Sequence, residues 1–112
     1  MMKVVEEELP GGITRVILEG RLDIEGAAAV DLKMNVLKDG RTSVLMDLQG
    51  VSFLASMGLR SLVMPARAIK SRGGRMVLFG PNEMVGKVLK TSGVDTVIPV
   101  HHDLSSALEA LQ

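Results

Sequence analysis

VLMDLQGVSFLASMGLRSLVMPARAIKSRGGRMVLF, residues 44–79, contains two apolar runs separated by an amphipathic segment. Val44–Leu48 and Arg75–Phe79 are almost uninterrupted apolar runs, which are typical of strands covered on both faces in a parallel sheet. The segment between them predicts a helix over residues 57–72 that is closed by Gly73 and Gly74. One stripe of this helix is expected to face the sheet: Leu59, Leu62, Val63, Ala66 and Ile69. The stretch therefore predicts a β–α–β unit.

The segments before this unit predict a hairpin and a first helix. The turn residues 10–12, Pro-Gly-Gly, separate an N-terminal run that includes Val4 and Val5 from the run Ile13–Glu19, which is typical of two antiparallel strands. Asp23 is expected to cap a helix that begins at about Ile24 and ends at Gly40. Three apolar residues of this helix share one face: Ala29, Leu32 and Val36.

The segments after the unit predict two helices and a strand. Pro81 suits the first turn of a third helix, for which Gly93 is the stop. Residues 97–100 predict an edge strand, because Pro99 cannot donate to a central ladder. A last helix is expected to begin near Asp103. The inward residues of these two helices are expected to be Val85, Val88 and Leu89, and then Leu104, Ala107, Leu108 and Leu111.

The order of these elements predicts an α/β fold. A hairpin followed by alternating helices and strands indicates a small mixed sheet of about five strands with about four helices, whose parallel neighbours are joined by right-handed crossovers. We expect one domain over residues 1–112, because a chain of this length can bury a continuous core. Pro65 removes one backbone donor from the second helix, so a bend is expected near Ser61.

Composition and charge argue against several classes of function. Thirteen basic and thirteen acidic residues balance without a block of like charge, so no nucleic-acid partner is expected. The absence of cysteine excludes disulfide and thiolate chemistry and agrees with a reducing, cytoplasmic location. The N-terminal segment lacks the apolar run of a signal peptide, and no run reaches the roughly 18 apolar residues of a membrane span. We therefore expect no inserted membrane segment.

No set of residues predicts an enzyme, a metal site or a cofactor. His101, His102 and Asp103 are adjacent, so their side chains diverge, and a solvated loop with Asp103 as a helix cap is the favoured interpretation. Asp47 is expected to hold backbone groups of the turn that follows it rather than to act as a catalytic carboxylate. The glycine pairs lack the spacing of a phosphate-binding loop.

Ser56 lies where the first strand of the unit leads into the helix. We expect that strand to end near Leu48 and residues 49–55 to form the connection at the carboxyl edge of the sheet, where open α/β sheets place their sites. In one interpretation Ser56 is the N-cap, and its hydroxyl accepts a hydrogen bond from the N–H of Gly58 or Leu59. In the other it is the site of an anion or a phosphorylated hydroxyl, which the helix dipole favours.

These motifs resemble a known family. Residues 44–79, SGVDTVIPV (92–100) with the last helix, and EGRLD (19–23) before an alanine-rich helix are similar to the STAS domains of bacterial anti-sigma-factor antagonists. The resemblance covers essentially the whole chain. The resemblance implies a non-catalytic regulator of a partner-switching pathway, which binds an anti-sigma factor or related serine kinase. Phosphorylation of the regulator at the start of its second helix is implied to release that partner. A phosphatase is a further implied partner.

The chain departs from the family pattern at the phosphorylation position. The family has Asp, Ser, then Ser or Thr, then Gly, whereas this chain has Ala55, Ser56, Met57 and Gly58. Met57 stands at the acceptor position and has no hydroxyl, so the usual switch is expected to be missing. Ser56 is the candidate substitute, although an N-cap hydroxyl would already be engaged. Asp23 matches the acidic residue that the family places across the loop.

A second stripe of the second helix suggests a protein-binding surface. Its members lie opposite the core stripe: Met57, Ser61, Met64 and Ala68. Either a neighbouring loop or plain exposure to water accounts for these residues, or the adaptable methionines contact a partner. The predicted partner-binding residues are Asp23, Ser56, Met57, Gly58, Arg60, Ser61 and Met64. A weak homodimer is a further expectation, and the sequence does not decide whether its edge strands would form the contact.

Two other function classes stay open at this point. The first is a STAS adaptor subunit of a membrane transport or signalling complex, which would use the same fold as a structural part. The second is a nucleotide- or anion-binding domain that uses the start of the second helix. Capture of the chain's partner separates the adaptor from the regulator. Calorimetry with nucleotide tests whether the chain is a nucleotide- or anion-binding domain.

Overall fold

The computed structural model describes residues 2–37 and 43–112, and these form a five-stranded sheet and four helices. The elements in chain order are β1 (Lys3–Leu9), β2 (Ile13–Leu22), α1 (Ile24–Leu37), β3 (Ser43–Leu54), α2 (Ser56–Ser71), β4 (Arg75–Phe79), α3 (Glu83–Thr91), a 3-10 turn (Val94–Thr96), β5 (Val100–His101) and α4 (Leu104–Ala110). The predicted α/β fold is confirmed. Gly40, which was expected to end α1, lies outside the described residues.

The sheet has the order β1-β2-β3-β4-β5, with one antiparallel pair at its edge. β1 pairs antiparallel with β2 through a turn in which Gly11 and Gly12 have φ values of +87° and +76°, a conformation that side chains rarely adopt. The other neighbours are parallel, and the connections between them contain α1, α2 and α3 in turn. The predicted hairpin and mixed sheet are therefore confirmed.

Apolar residues cover both faces of β3 and β4, as their sequences predict. Alternate residues of β3 belong to two separate cores: Met46 packs with residues of α1, α2 and α3, whereas Leu45 packs with Ala107 of α4 and with Leu111, which follows that helix. The predicted inward stripe of α2 is confirmed, since Leu62, Ala66 and Ile69 are buried and Leu59 and Val63 pack against the same core. α2 is one helix from Ser56 to Ser71 with Pro65 inside it, and the bend near Ser61 stays a prediction.

The predicted end of the third strand was wrong. β3 does not stop near Leu48 but continues to Leu54, because residues 50–54 pair with Glu19–Leu22 beyond an irregularity in the register. Polar and glycine residues at 49, 50 and 52 conceal this extension in the sequence. The longer strand leaves a single residue, Ala55, between β3 and α2.

Leu32 and Val36 share a face of α1, as predicted, and that face is exposed to solvent. Three smaller predictions need correction. Pro81 precedes α3, whose cap is Asn82, because the Asn82 side chain accepts a hydrogen bond from the Val85 N–H at 2.8 Å. A 3-10 turn precedes the edge strand, which comprises Val100 and His101 and excludes residues 97–99. Leu104 lies on the exposed side of α4.

None of the helices formed by residues 2–37 and 43–112 is long and apolar enough to cross a membrane.

Candidate functional site

The first turns of α1 and α2 both contact the carboxyl end of β2. A Cβ atom at Gly26 would collide with the carbonyl oxygen of Arg21, and one at Gly58 would collide with the carbonyl oxygen of Leu22 and lie 2.7 Å from the Leu22 Cγ. Both glycines are buried. The missing side chains therefore let both helices begin directly against the same strand end.

Asp23 caps α1, as the sequence predicts. Its Oδ1 accepts a hydrogen bond from the N–H of Gly26 at 3.0 Å, and this bond holds the pKa of the Asp23 carboxyl below its ordinary value. The other carboxylate oxygen lies 3.5 Å from the Arg21 Nε, and the Arg21 guanidinium lies 4.1 Å from the centre of the Phe53 ring. The start of α1 thus has a side-chain partner and an oriented arginine beside it.

The start of α2 has no side-chain cap. Ala55, with φ −115° and ψ 175°, occupies the N-cap position. Its N–H donates to the Leu22 carbonyl at 3.1 Å, and its carbonyl accepts from the Leu59 N–H at 3.0 Å. The prediction that Ser56 is the N-cap was wrong, because the extended β3 ladder moves the cap one residue earlier. Alanine carries no oxygen that could accept the exposed N–H groups.

Ser56 is consequently an exposed first residue of the helix. Its hydroxyl makes no hydrogen bond to any of the residues that the structure describes. The objection that an N-cap hydroxyl is already engaged therefore does not apply to Ser56.

The predicted partner-binding residues separate into an exposed and a buried group. Ser56, Met57, Arg60 and Met64 are exposed, and Asp23 is half-buried. Gly58 and Ser61 are buried. The Ser61 hydroxyl lies 3.2 Å from the Met57 carbonyl and 3.3 Å from the Ala27 carbonyl, so it is a donor that joins α2 to α1. Gly58 and Ser61 therefore position the surface without presenting a side chain on it.

The predicted second stripe lines a groove between α1 and α2. The groove has a volume of about 370 Å³, and its walls include all four stripe residues: Met57, Ser61, Met64 and Ala68. Asp31 and Asn35 of α1 line the opposite side. No loop within residues 2–37 and 43–112 covers the methionines, since Met57 is 44% exposed and Met64 is 55% exposed.

Arg67 belongs to the same exposed surface, although the predicted partner-binding residues do not include it. Met57, Arg60, Met64 and Arg67 alternate at spacings of three, four and three residues, and all four are exposed. α2 contains no acidic residue. The signal that could have found this surface is the charge pattern of the helix, which is basic on its solvent side only. We call these four residues the Met–Arg surface.

The remaining candidate groups have structural partners or no ligand geometry. Asp47 is 2% exposed, accepts a hydrogen bond from the Gln49 N–H at 2.9 Å, as its predicted role requires, and pairs with Arg15 at 2.6 Å. His101 is not in a solvated loop but in β5, and its buried Nε2 atom has no hydrogen-bond partner among the residues that the structure describes. Asp103 caps α4, as predicted. Across residues 2–37 and 43–112, no three His, Asp or Glu side chains are grouped as metal ligands.

Comparison with known proteins agrees with this architecture. The family model described as the STAS domain matches residues 5–107. The TM1081 homologue of Thermotoga neapolitana is 32% identical over 76 residues, which are 68% of this chain and 67% of that protein. The anti-sigma F factor antagonist of Paenibacillus polymyxa is 26% identical over 110 residues, 96% of this chain and 94% of that protein.

A solved structure agrees at the level of the fold. The crystal structure of TM1081 from Thermotoga maritima superimposes with a TM-score of 0.89, covers 96% of this chain and 93% of its own, and has 24% sequence identity. The family match spans nearly all of the sheet and helices described above, including both helix starts. The chain is therefore a member of the STAS-domain family, with the fold of the anti-sigma-factor antagonists.

Proposed function

We propose that residues 1–112 act as one cytoplasmic STAS domain, which regulates a bacterial partner-switching pathway by binding and not by catalysis. Its partner is an anti-sigma factor or a related serine kinase, as for the relatives that are named anti-sigma-factor antagonists. The observation that carries the proposal is the Met–Arg surface, which presents two methionines and two arginines beside an uncapped helix start. Flexible methionines adapt to a partner, and the arginines select an acidic one.

The proposed switch differs from that of the family pattern at one position. Met57 has no hydroxyl to accept phosphate, so a kinase cannot phosphorylate the usual position and the surface stays competent for binding. Ser56 is the one hydroxyl in the first turn of α2, and its exposure leaves it open to a kinase. A phosphate there would place about −1.5 to −2 charges beside the exposed N–H groups and would repel an acidic partner.

Capture from a lysate of the native host tests the docking surface. The baits are the tagged chain, the double variant Met57→Glu/Met64→Glu, and the control Met84→Glu, which changes a methionine of α3 that is 51% exposed. We expect an ATP-binding kinase or anti-sigma factor to be captured by the wild-type and control baits and lost from the double variant. Equal capture by all three baits contradicts the proposed surface, and capture of a transporter instead favours the adaptor function.

Intact-mass measurement tests the switch. The chain is incubated with ATP and the captured kinase, in parallel with Ser56→Ala and with Ser105→Ala, a control that changes an exposed serine of α4. A chain that gains no phosphate has lost the switch. A stoichiometric gain of one phosphate that disappears in Ser56→Ala shows that Ser56 has replaced the usual acceptor. A gain that survives in Ser56→Ala contradicts both forms of the proposal.

A further inference from the structure

α1 exposes an apolar stripe that the core does not use. Ile24, Leu32 and Val36 are 72%, 73% and 74% exposed, and Ala28 between them is exposed as well. These four residues follow one another at intervals of four and therefore form one ridge along the helix. The opposite side of α1 already supplies the buried residues: Gly26, Ala27, Val30, Met34 and Leu37. We call the exposed ridge the α1 stripe.

We propose that the α1 stripe is the contact surface of a homodimer, in which two α1 helices pack antiparallel across a two-fold axis. Such an axis makes the contact self-complementary, because Ile24 of one copy lies opposite Val36 of the other and Ala28 lies opposite Leu32. Ridges of residues at i and i+4 interdigitate when the two helices cross at about 50°, so Ala28 and Leu32 lie at the centre of the contact and Ile24 and Val36 lie at its ends. None of the four residues is charged, so the contact brings no like charges together.

The other surfaces that could join two copies are less suited to the purpose. β1 is an edge strand with Glu6, Glu7 and Glu8 in succession, so antiparallel pairing of two β1 strands would set glutamates against glutamates. The opposite edge, β5, has two residues and follows Pro99. The Met–Arg surface would oppose arginines to arginines. Its charge suits a different, acidic protein, whereas the α1 stripe suits a second copy.

The area of the α1 stripe sets the expected strength of the dimer. A transfer free energy of 1.5–3 kcal/mol at 25 cal/mol/Å² corresponds to about 60–120 Å² of apolar surface for each fully buried large aliphatic side chain. Because the three side chains are already about a quarter buried, three in each of two copies can bury roughly 400 Å² more. A standard interface buries about 1,600 Å², of which about 57% is apolar. The stripe supplies rather less than half of that apolar area, so the dimer is expected to be weak and to depend on concentration.

Sedimentation velocity over a range from low micromolar to millimolar protein tests the proposal. The wild-type chain is expected to shift from monomer to dimer with concentration, and Leu32→Glu is expected to stay monomeric throughout. Met84→Glu on α3 is the matched control and is expected to dimerise like the wild-type chain. A wild-type chain that is monomeric at every concentration overturns the proposal, as does a Leu32→Glu variant that dimerises normally. Circular dichroism shows that each variant is folded.

Cross-linking gives a second, independent readout. The chain contains no cysteine, so Ala28→Cys introduces a unique thiol on the stripe, and Met84→Cys introduces one elsewhere. A short bismaleimide is expected to join two Ala28→Cys chains efficiently and two Met84→Cys chains only at the background rate. Equal yields from the two variants overturn the proposed interface. Because neither experiment involves α2 or a kinase, both outcomes are independent of the proposed regulatory function.

Discussion

The first turns of α1 and α2 are built alike and finished differently. Each begins at the carboxyl edge of the sheet, and each presses a buried glycine against a carbonyl oxygen at the end of β2. In α1, Asp23 then satisfies a backbone N–H of the first turn. In α2 the corresponding position is Ala55, which offers no such acceptor. The start of α1 is therefore closed by a side-chain cap. The start of α2 is open, because it has no side-chain cap, and it lies beside exposed methionine and arginine side chains.

This difference distinguishes what the two helix starts can do. At a capped N-terminus, a carboxylate of the same chain accepts a hydrogen bond from the first turn and offsets the positive end of the helix dipole. An uncapped N-terminus keeps N–H groups that favour negative charge from outside the chain. The outward faces follow the same division, because the α1 stripe is uncharged and the Met–Arg surface is basic. Both observations favour α2 over α1 as the proposed contact surface for an acidic partner.

The largest expected effect on stability comes from adding a side chain where each helix start contacts the end of β2. Gly58→Ala puts a methyl group against the Leu22 carbonyl and within 3.0 Å of the Leu54 Cδ1. Overpacking of this kind costs about 1–3 kcal/mol, which outweighs the gain of about 1 kcal/mol in helix propensity. Urea unfolding measures the loss, and Gly26→Ala is expected to behave in the same way.

Gly86→Ala is the control for these two variants. Gly86 lies inside α3, and the nearest atom to its added Cβ is the Pro81 Cγ at 3.9 Å. The substitution is therefore expected to raise the free energy of unfolding by up to about 1 kcal/mol. If Gly58→Ala were stabilising like Gly86→Ala, the shared anchoring of α1 and α2 on β2 would be refuted.

A smaller effect is expected from giving α2 the cap that α1 has. Ala55 already has the extended backbone of an N-cap residue, so Ala55→Asp and Ala55→Asn are each expected to stabilise the chain by about 1 kcal/mol. Thermal unfolding measures this as a rise of about 4–8 °C for a domain of this size.

The two Ala55 variants separate capping from charge at the partner site. Both supply an acceptor, but only aspartate adds a negative charge next to the Met–Arg surface. Binding of the captured acidic partner is expected to weaken more in Ala55→Asp than in Ala55→Asn. Equal binding by both variants would mean that the charge at the start of α2 does not contribute to recognition.

The sequence predicts the frame of this molecule better than the detail of its site. The inward stripe of α2 and the two apolar strands are readable because burial forces an apolar residue at fixed intervals. The position of the N-cap is not, because it depends on how far β3 stays paired with β2, and Gln49, Gly50 and Ser52 interrupt the apolar pattern there. Because the N-cap was predicted one residue too late, the Ser56 hydroxyl was expected to be hydrogen-bonded, whereas in the structure it is exposed.

The sequence left the outward faces of the helices undetermined for a related reason. Leu32 and Val36 fit a helical stripe as well as Val30 and Met34 do, since α1 is apolar on two sides and periodicity alone cannot say which side meets the sheet. Arg67 was overlooked because a basic residue late in a helix has an adequate local explanation in the dipole. Only the folded structure shows that Arg67 is exposed on the same surface as Met57, Arg60 and Met64.

The smallest expected effect concerns the closed helix start and its dependence on pH. The Gly26 N–H stabilises the ionised Asp23 carboxyl and lowers its pKa from the ordinary value of 3.8. A group whose pKa is lower in the folded state contributes stability above its unfolded pKa and loses that contribution as the pH falls through the folded value.

Asp23→Asn keeps an acceptor for the cap but removes the titration, so its unfolding free energy is expected to fall less steeply than that of the wild-type chain below about pH 5. Asp31→Asn is the matched control on the same helix, because the Asp31 carboxylate makes no hydrogen bond to the described residues. Urea unfolding from neutral pH to pH 3 compares the three slopes, and Asp31→Asn is expected to keep the wild-type slope. An Asp23→Asn slope equal to that of the wild-type chain would contradict the stabilisation of the ionised Asp23 carboxyl by the Gly26 N–H.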